Sequence, residues 1–135
     1  MSVRTWCVLA VGVGIIATAA PVGAHHSFSA EYDRDKPLTV TGTVTKLEWT
    51  NPHARLYVDV AGEDGSVAHW DFELGPPNGL MRRGWRRDSL QPGHVVTISG
   101  FHSKFDAHVG NARSVTLADG RQVFAGSSFD TGQTP

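Results

Sequence analysis

The sequence predicts an all-β fold, and two features of the chain indicate it. Apolar and polar residues alternate in short runs, which is the period of a strand with one buried face. Gly, Pro, Asn and Asp separate these runs where turns are needed. Only a short segment around Leu80 has helical character. Three strand runs, this segment and two more strand runs predict a small OB-like five-stranded barrel with a short helical connection between strands 3 and 4.

The first predicted strand starts at Leu38 and changes its alternation part-way. Val40 and Val44 share one face, whereas Trp49 has the opposite parity. A β-bulge near residues 45–46 would return these side chains to one side of the sheet. Such a bulge also supplies the curvature that a small barrel requires.

The second to fifth predicted strands alternate more regularly. A hairpin turn is predicted at residues 63–65, a bend at Gly100 and a short extension at residues 123–124. The competing architecture, a β-sandwich, needs about seven strands, more than these runs provide. The predicted inward-facing residues are Leu56, Val58 and Val60 of the second strand and Trp70, Phe72 and Leu74 of the third. The fourth strand is assigned from Val96, Ile98 and Phe101, and the fifth from Val115 and Leu117.

Residues 1–24 have the pattern of a signal peptide. Arg4 is followed by an apolar run over residues 6–20, which is too short to span a bilayer as a stable helix. Val22 and Ala24 are small enough to occupy the −3 and −1 positions of a cleavage site. We therefore expect a periplasmic or secreted protein with no stable membrane insertion after cleavage. The alternative is an uncleaved membrane anchor.

The remaining chain is predicted to be one domain over residues 25–126, followed by a disordered polar tail at 127–135. The only cysteine, Cys7, lies in the predicted leader, so cleavage leaves no thiol for disulfides, catalysis or zinc binding. The formal net charge of −1 does not favour a polyanionic partner, and we expect no nucleic-acid binding.

Three histidines form a candidate metal site. Cleavage after Ala24 would leave His25 with a free α-amine, next to His26, and His53 follows the first strand. Amine and imidazole nitrogens suit Cu(II), and also Zn(II) and Ni(II), and we expect Cu(II) first. The alternatives are that the His25-His26 pair is a solvated terminus and that His53 only caps its turn.

Two aromatic residues are predicted to hold the beginning of the domain in place. Phe28 and Tyr32 are four residues apart among polar neighbours, the pattern of a strap that docks on an apolar surface. Docking would bring His25 and His26 towards fixed side chains.

A basic segment offers a metal-independent alternative. Arginine beside tryptophan can bind an anionic ligand or a partner protein. The competing interpretation is a solvated helix face whose tryptophan fills the core. The residues of this candidate site are Arg82, Arg83, Trp85, Arg86 and Arg87.

An enzyme is less favoured than a binding protein, and no catalytic residue is predicted. Asp71 and Glu73 share one strand face and could act as an acid/base pair or contribute a metal-binding oxygen. However, the chain has no nucleophile elbow and no glycine-rich phosphate loop.

Four short motifs resemble a family of small exported bacterial proteins that carry a domain of unknown function. The resemblance extends over nearly all of the chain after the leader, and its histidine motifs are the most specific part. It implies an exported single-domain β protein and no established activity. The motifs are His25-His26-Ser27-Phe28, Gly42-Thr43-Val44, Trp49-Thr50-Asn51-Pro52-His53 and Leu90-Gln91-Pro92-Gly93.

Overall fold

The computed structural model describes residues 28–126, which form a mostly β structure, as predicted, with two short helices. The predicted signal peptide, His25, His26 and the predicted disordered tail lie outside the described residues. The elements are α1 (Phe28–Glu31), β1 (Tyr32–Glu48), β2 (Arg55–Ala61), β3 (Val67–Glu73), α2 (Pro77–Arg82), β4 (Val95–Ser103), β5 (Val109–Leu117) and β6 (Gln122–Phe124).

The strands form one sheet in the order β3-β2-β1-β4-β5-β6. An additional parallel pairing joins β3 to β5, so β1 to β5 make a closed ring of five strands. Helix α2 connects β3 to β4, where a short helical connection was predicted. Strand β6 pairs with β5 at residues 122–124, close to the predicted extension.

Strand β1 has the predicted bulge, since its pairing with β2 shifts register between Val44 and Lys46. The strand nevertheless starts at Tyr32, six positions before the predicted start. Its pairing with β4 has a second irregularity between Tyr32 and Pro37. The intervening residues are charged and have no apolar alternation, so only the pairing with β4 reveals that this segment belongs to the strand.

The core contains apolar residues of every ring strand, and all six residues predicted to face inward from the second and third strands belong to it or pack against it. Leu56, Phe72, Ile98 and Val115 are completely buried. A fully buried side chain of this size stabilises the fold by about 1.5–3 kcal/mol relative to its exposed state. Gly100 is required at the predicted bend, because a Cβ there would collide with the backbone carbonyl of Asn111 on β5.

Helix α2 begins with Pro77 at its first position, where the missing amide hydrogen costs little. Leu80 is its fully buried anchor in the core. Within residues 28–126, neither helix combines the length and the apolar composition that crossing a bilayer would require.

Candidate functional site

Strands β2 and β3 place six polar side chains on one outer surface of the ring. Antiparallel pairing puts Leu56 opposite Phe72 inside, so the alternate positions face outward. The connecting turn contains Gly65 with φ of 81°, a left-handed conformation that glycine adopts without strain. We call the six outward residues the β2–β3 polar face, and their cross-strand pairs are Arg55 with Glu73, Tyr57 with Asp71 and Asp59 with His69.

The Glu73 carboxylate connects three other side chains. Tyr32 donates a hydrogen bond from its hydroxyl to Oε2 of Glu73 over 3.0 Å. Nδ1 of His53 lies 3.2 Å from Oε1 of the same carboxylate. Nη1 of Arg55 is 3.9 Å from Oε2. Glu73 therefore joins β1, the segment before β2 and β2 itself at one end of the polar face.

Burial raises the pKa of two groups in this cluster. It raises the pKa of Glu73, although the nearby His53 and the hydrogen bond from Tyr32 oppose that effect. Burial also raises the pKa of Tyr32, and the negative charge of Glu73 raises it further. Tyr32 is only 4% exposed, so its phenol keeps its proton and remains a hydrogen-bond donor to Glu73.

Arg55 makes a bidentate ion pair with Asp71. Its Nε lies 2.9 and 3.2 Å from the two carboxylate oxygens, and its Nη2 lies 2.8 Å from Oδ2. Burial alone would lower the pKa of Arg55, but the hydrogen bonds and the charge of Asp71 raise it overall. The guanidinium therefore stays charged, and its two-point contact fixes the orientation of the Asp71 carboxylate on the polar face.

A solvent-open cleft of about 430 Å³ lies beside this cluster. Tyr32 and Arg55 form its polar wall, and Ala30 and Glu31 of α1 form the rim nearest the start of the described chain. Phe105, an exposed residue in the loop between β4 and β5, also lines the cleft. The cleft is therefore open to solvent beside Tyr32 and Arg55, two members of the cluster.

Phe28, the first described residue of the predicted strap, packs against two aromatic rings of the sheet. The ring of Phe28 lies 5.4 Å from that of Tyr32 and 5.7 Å from that of Phe101 on β4. The guanidinium of Arg34 is 4.9 Å from the centre of the Phe28 ring. Lys104 adds a 2.6 Å hydrogen bond from Nζ to the backbone carbonyl of Ser29. Phe28, the first described residue, therefore packs on Tyr32, which in turn contacts Glu73.

Of the three predicted metal ligands, the structure describes His53 alone. Its imidazole is 37% exposed and carries the Glu73 carboxylate on its Nδ1 side. In residues 28–126, no three His, Cys, Asp or Glu side chains come together in a way that could hold a metal ion. A metal site at His53 therefore requires further donors from beyond this part of the chain.

The other four histidines lie in different places on the ring. Nδ1 of His69 is 2.6 Å from Oδ1 of Asp59 on the polar face. Nδ1 of His94 accepts a hydrogen bond from the backbone N–H of Gln91. The rings of His102 and His108 lie 5.6 and 5.3 Å from that of Trp70. Only His53 contacts Glu73 among these five described imidazoles.

The predicted arginine site is only partly a surface. All four arginines are exposed, and Arg83 also donates a hydrogen bond from Nη1 to the carbonyl of Gly126 over 2.7 Å. The prediction that Trp85 belongs to this ligand-binding surface needs correction, because its indole is 2% exposed and belongs to the core. The competing interpretation, in which this tryptophan fills the core, describes it correctly.

Sequence reasoning missed Tyr32 and Arg55 as members of the Glu73 cluster. Arg55 has the same strand parity as Asp59, so alternation alone could have placed it on the polar face. Nothing in the sequence pairs Tyr32 with a residue 41 positions later. Glu73 itself was noticed as one of two carboxylates on a strand face, without its partners.

The fold and this cluster describe a small, mostly β protein with a carboxylate–imidazole–phenol site. A model of a family of unknown function (DUF6152) matches residues 12–112. The match spans most of the chain, and the protein therefore belongs to that family, as the motif resemblance to a domain of unknown function predicted. No curated protein matches the chain.

Proposed function

We propose that this protein is an exported small binding protein that takes up a transition metal through His25, His26 and His53. The donor set favours Cu(II), followed by Zn(II) and Ni(II). The α-amine that cleavage after Ala24 would create at His25 supplies a further nitrogen. We assign a transport, buffering or sensing role to the bound ion in preference to catalysis.

The contact between His53 and Glu73 carries the proposal. Metal-binding imidazoles commonly donate their second ring N–H to a carboxylate, which fixes the tautomer and raises the basicity of the nitrogen that binds the metal. The 3.2 Å separation between Nδ1 of His53 and Oε1 of Glu73 fits this arrangement. Nε2 would then hold the free lone pair on a side chain that is 37% exposed.

The docked strap gives the second support. Phe28 packs against Tyr32, and Tyr32 hydrogen-bonds the carboxylate that contacts His53. His25 and His26 precede Phe28 by three and two residues, so covalent geometry limits their distance from this anchor to about 3.6 Å per residue. An anchored terminus loses less conformational entropy when it binds a metal than a free tail does.

The test starts with intact-mass measurement and N-terminal sequencing of the exported protein. Copper, zinc and nickel are then titrated into that species and into two variants. His53→Ala should weaken Cu(II) binding by at least about tenfold. His69→Ala is the matched control, because it removes another imidazole that contacts a carboxylate and should leave Cu(II) affinity unchanged.

Two outcomes would overturn the proposal. One is equal Cu(II) affinity in the wild type and His53→Ala. The other is an exported protein whose first residue is not His25 and whose Cu(II) affinity is unchanged when its terminal amine is acetylated. The first outcome removes His53 from the site, and the second removes the amine.

An anionic ligand or partner protein is the second candidate, and the exposure of Arg82, Arg86 and Arg87 favours it. Within residues 28–126, none of these three guanidinium groups forms an ion pair with a carboxylate. Replacing all three by Gln should abolish binding of an anionic probe such as heparin and leave metal binding unchanged. Unchanged heparin binding would reject this candidate.

A further inference from the structure

The end of α2 and the loop that follows it concentrate positive charge on the surface. Residues 82–87 contain four arginines and no acid, and all four arginines are exposed. Elsewhere in residues 28–126 there are seven Lys and Arg residues and twelve Asp and Glu residues. This segment therefore has the opposite sign of charge to the rest of the described chain. We call Met81 together with Arg82, Arg83, Arg86 and Arg87 the arginine surface.

Three of these charges have no carboxylate partner within residues 28–126. Arg82, Arg86 and Arg87 form no ion pair there, and Asp88, the next residue, pairs with none of them. Arg86 donates from Nη1 to the carbonyl of Trp85, which occupies only part of a guanidinium that has five donors. Guanidinium groups match phosphate oxygens in a two-point contact, so the arginine surface favours a phosphate-bearing partner.

The core holds this surface in a fixed shape. The Trp85 indole is 2% exposed and anchors the segment from inside. The backbone N–H of Trp85 bonds to the carbonyl of Leu80 over 3.1 Å. The backbone N–H of Arg86 bonds to Oγ of Ser89 over 2.6 Å. The backbone therefore needs little ordering when a partner binds.

Met81 adds an apolar group to the arginine surface. Its side chain is 44% exposed and directly precedes Arg82. A polyanion in water offers such a side chain no apolar environment. The interface of a bilayer offers one, because acyl chains lie directly below the phosphates, and binding there increases with the apolar area that is buried. Arginines beside an exposed methionine therefore favour a phospholipid surface over a soluble anion.

The charge of the remaining chain also favours contact on one side only. A polyanion long enough to wrap around the protein would meet the excess of acids outside the arginine surface. A bilayer touches a single side, so it meets the arginines and leaves the acids in water.

We propose that the arginine surface docks this protein on a bilayer that contains anionic phospholipids. The guanidinium groups bind lipid phosphates, and Met81 enters the interface between the headgroups. The inference rests on the anionic-ligand candidate above and names the class of its ligand. It does not depend on metal binding at His53.

The test measures co-sedimentation of the purified exported protein with vesicles, in the presence of EDTA. One vesicle preparation is pure phosphatidylcholine, and the other is an equimolar mixture of phosphatidylcholine and phosphatidylglycerol. At about 50 mM NaCl, the partition coefficient should be at least about tenfold higher for the mixed vesicles, since each arginine near an anionic surface contributes to binding. Raising NaCl to about 500 mM should abolish most of this difference, because salt screens the charges.

Replacing Arg82, Arg86 and Arg87 by Gln should reduce binding to the mixed vesicles by at least about tenfold. The matched control makes the same change in net charge at exposed cations that each lie near a carboxylate, and it should bind within about twofold of the wild type. Circular dichroism spectra confirm that both variants are folded. The control substitutions are Lys36→Gln, Lys46→Gln and Arg121→Gln.

Met81→Ala separates a lipid surface from a soluble anion. It should weaken binding to the mixed vesicles by about threefold, because less apolar area enters the interface, and leave heparin binding unchanged. Val95→Ala is its control, since it shortens another exposed apolar side chain, on β4, and should change neither quantity.

The proposal is overturned if the protein partitions equally onto the two kinds of vesicle, or if the two charge variants lose binding equally. Unchanged vesicle binding in Met81→Ala would also reject it, because nothing would then distinguish the bilayer from a soluble anion. Heparin binding without vesicle binding would overturn the membrane proposal and leave the anionic-ligand candidate standing. Binding to neither probe would overturn both.

Discussion

Nδ1 of His53 lies 3.2 Å from Oε1 of Glu73, and this contact fixes the orientation of an imidazole on the outside of the ring. The same carboxylate accepts a hydrogen bond from Tyr32, which packs against Phe28 at the start of the described chain. One half-buried acid thus connects the candidate metal ligand with the segment that carries the other two histidines.

Glu73→Gln should weaken Cu(II) binding by roughly tenfold if Glu73 positions His53, since loss of the carboxylate makes the imidazole a poorer ligand. The measurement is a copper titration of the exported protein, with thermal unfolding as a check on the fold. Asp59→Asn is the matched control, because Asp59 contacts His69 in the same way. An equal loss of Cu(II) affinity in Glu73→Gln and Asp59→Asn would contradict a specific role for Glu73.

Phe28→Ala should also weaken Cu(II) binding, because it removes the anchor that holds the terminus near Tyr32. Loss of its aromatic contacts should lower the free energy of unfolding by only about 1 kcal/mol. Copper titration and urea unfolding measure the two effects separately. Phe105→Ala, at a ring that is 81% exposed, should change neither quantity. Unchanged affinity in Phe28→Ala would show that docking does not assist binding.

Stability should decrease at alkaline pH because of Tyr32. Burial and the charge of Glu73 raise the pKa of Tyr32 in the folded protein above the ordinary value of 10.0. The unfolded chain therefore loses this proton first, and the stabilisation is complete below pH 10.0 and is lost as the pH rises further.

Urea unfolding at a series of pH values compares the wild type with Tyr32→Phe. Near neutral pH the variant should be less stable by about 1–2 kcal/mol, because it lacks the hydrogen bond to Glu73. Above pH 10.0 its stability should decrease less steeply than that of the wild type. The free energy of unfolding of Tyr32→Phe should still decrease with pH to some extent, because the pKa of Tyr57 is raised too. Burial is the larger cause of that rise, and the hydrogen bond to Glu48 is the next. Identical slopes would argue against a buried, protonated Tyr32.

Trp85→Ala should reduce the free energy of unfolding by about 3–5 kcal/mol, because its indole is only 2% exposed. Arg86→Ala, one residue later on the surface, should change it by no more than about 0.5 kcal/mol. Urea denaturation of both variants measures the difference. A small effect of Trp85→Ala would mean that the tryptophan belongs to a surface site after all.

The sequence was a good guide to local features of the sheet. Parity along the first strand predicted the bulge that lies between Val44 and Lys46. Alternation also predicted the buried faces of the later strands and the outward position of Asp71 and Glu73. These features depend on neighbouring residues, so the two-residue repeat of a β-strand is enough to predict them.

The cluster around Glu73 could not be predicted in the same way. Its members Tyr32, His53 and Arg55 are far from Glu73 along the chain, and strand pairing and ring closure bring them together. Trp85 was equally difficult, because flanking arginines give a buried tryptophan the appearance of a surface residue. Local composition contains no information about which neighbour a side chain meets across the ring.

The sequence by itself determined the all-β class, the approximate positions of β2 to β5, the bulge and the candidate histidines, because each depends on the order of residues within a short segment. Only the tertiary structure decided that His53 contacts Glu73, that Phe28 docks on Tyr32 and that Trp85 lies in the core. Such contacts join residues from separate strands, and they exist only once pairing between distant segments has compensated the entropy of closing the ring.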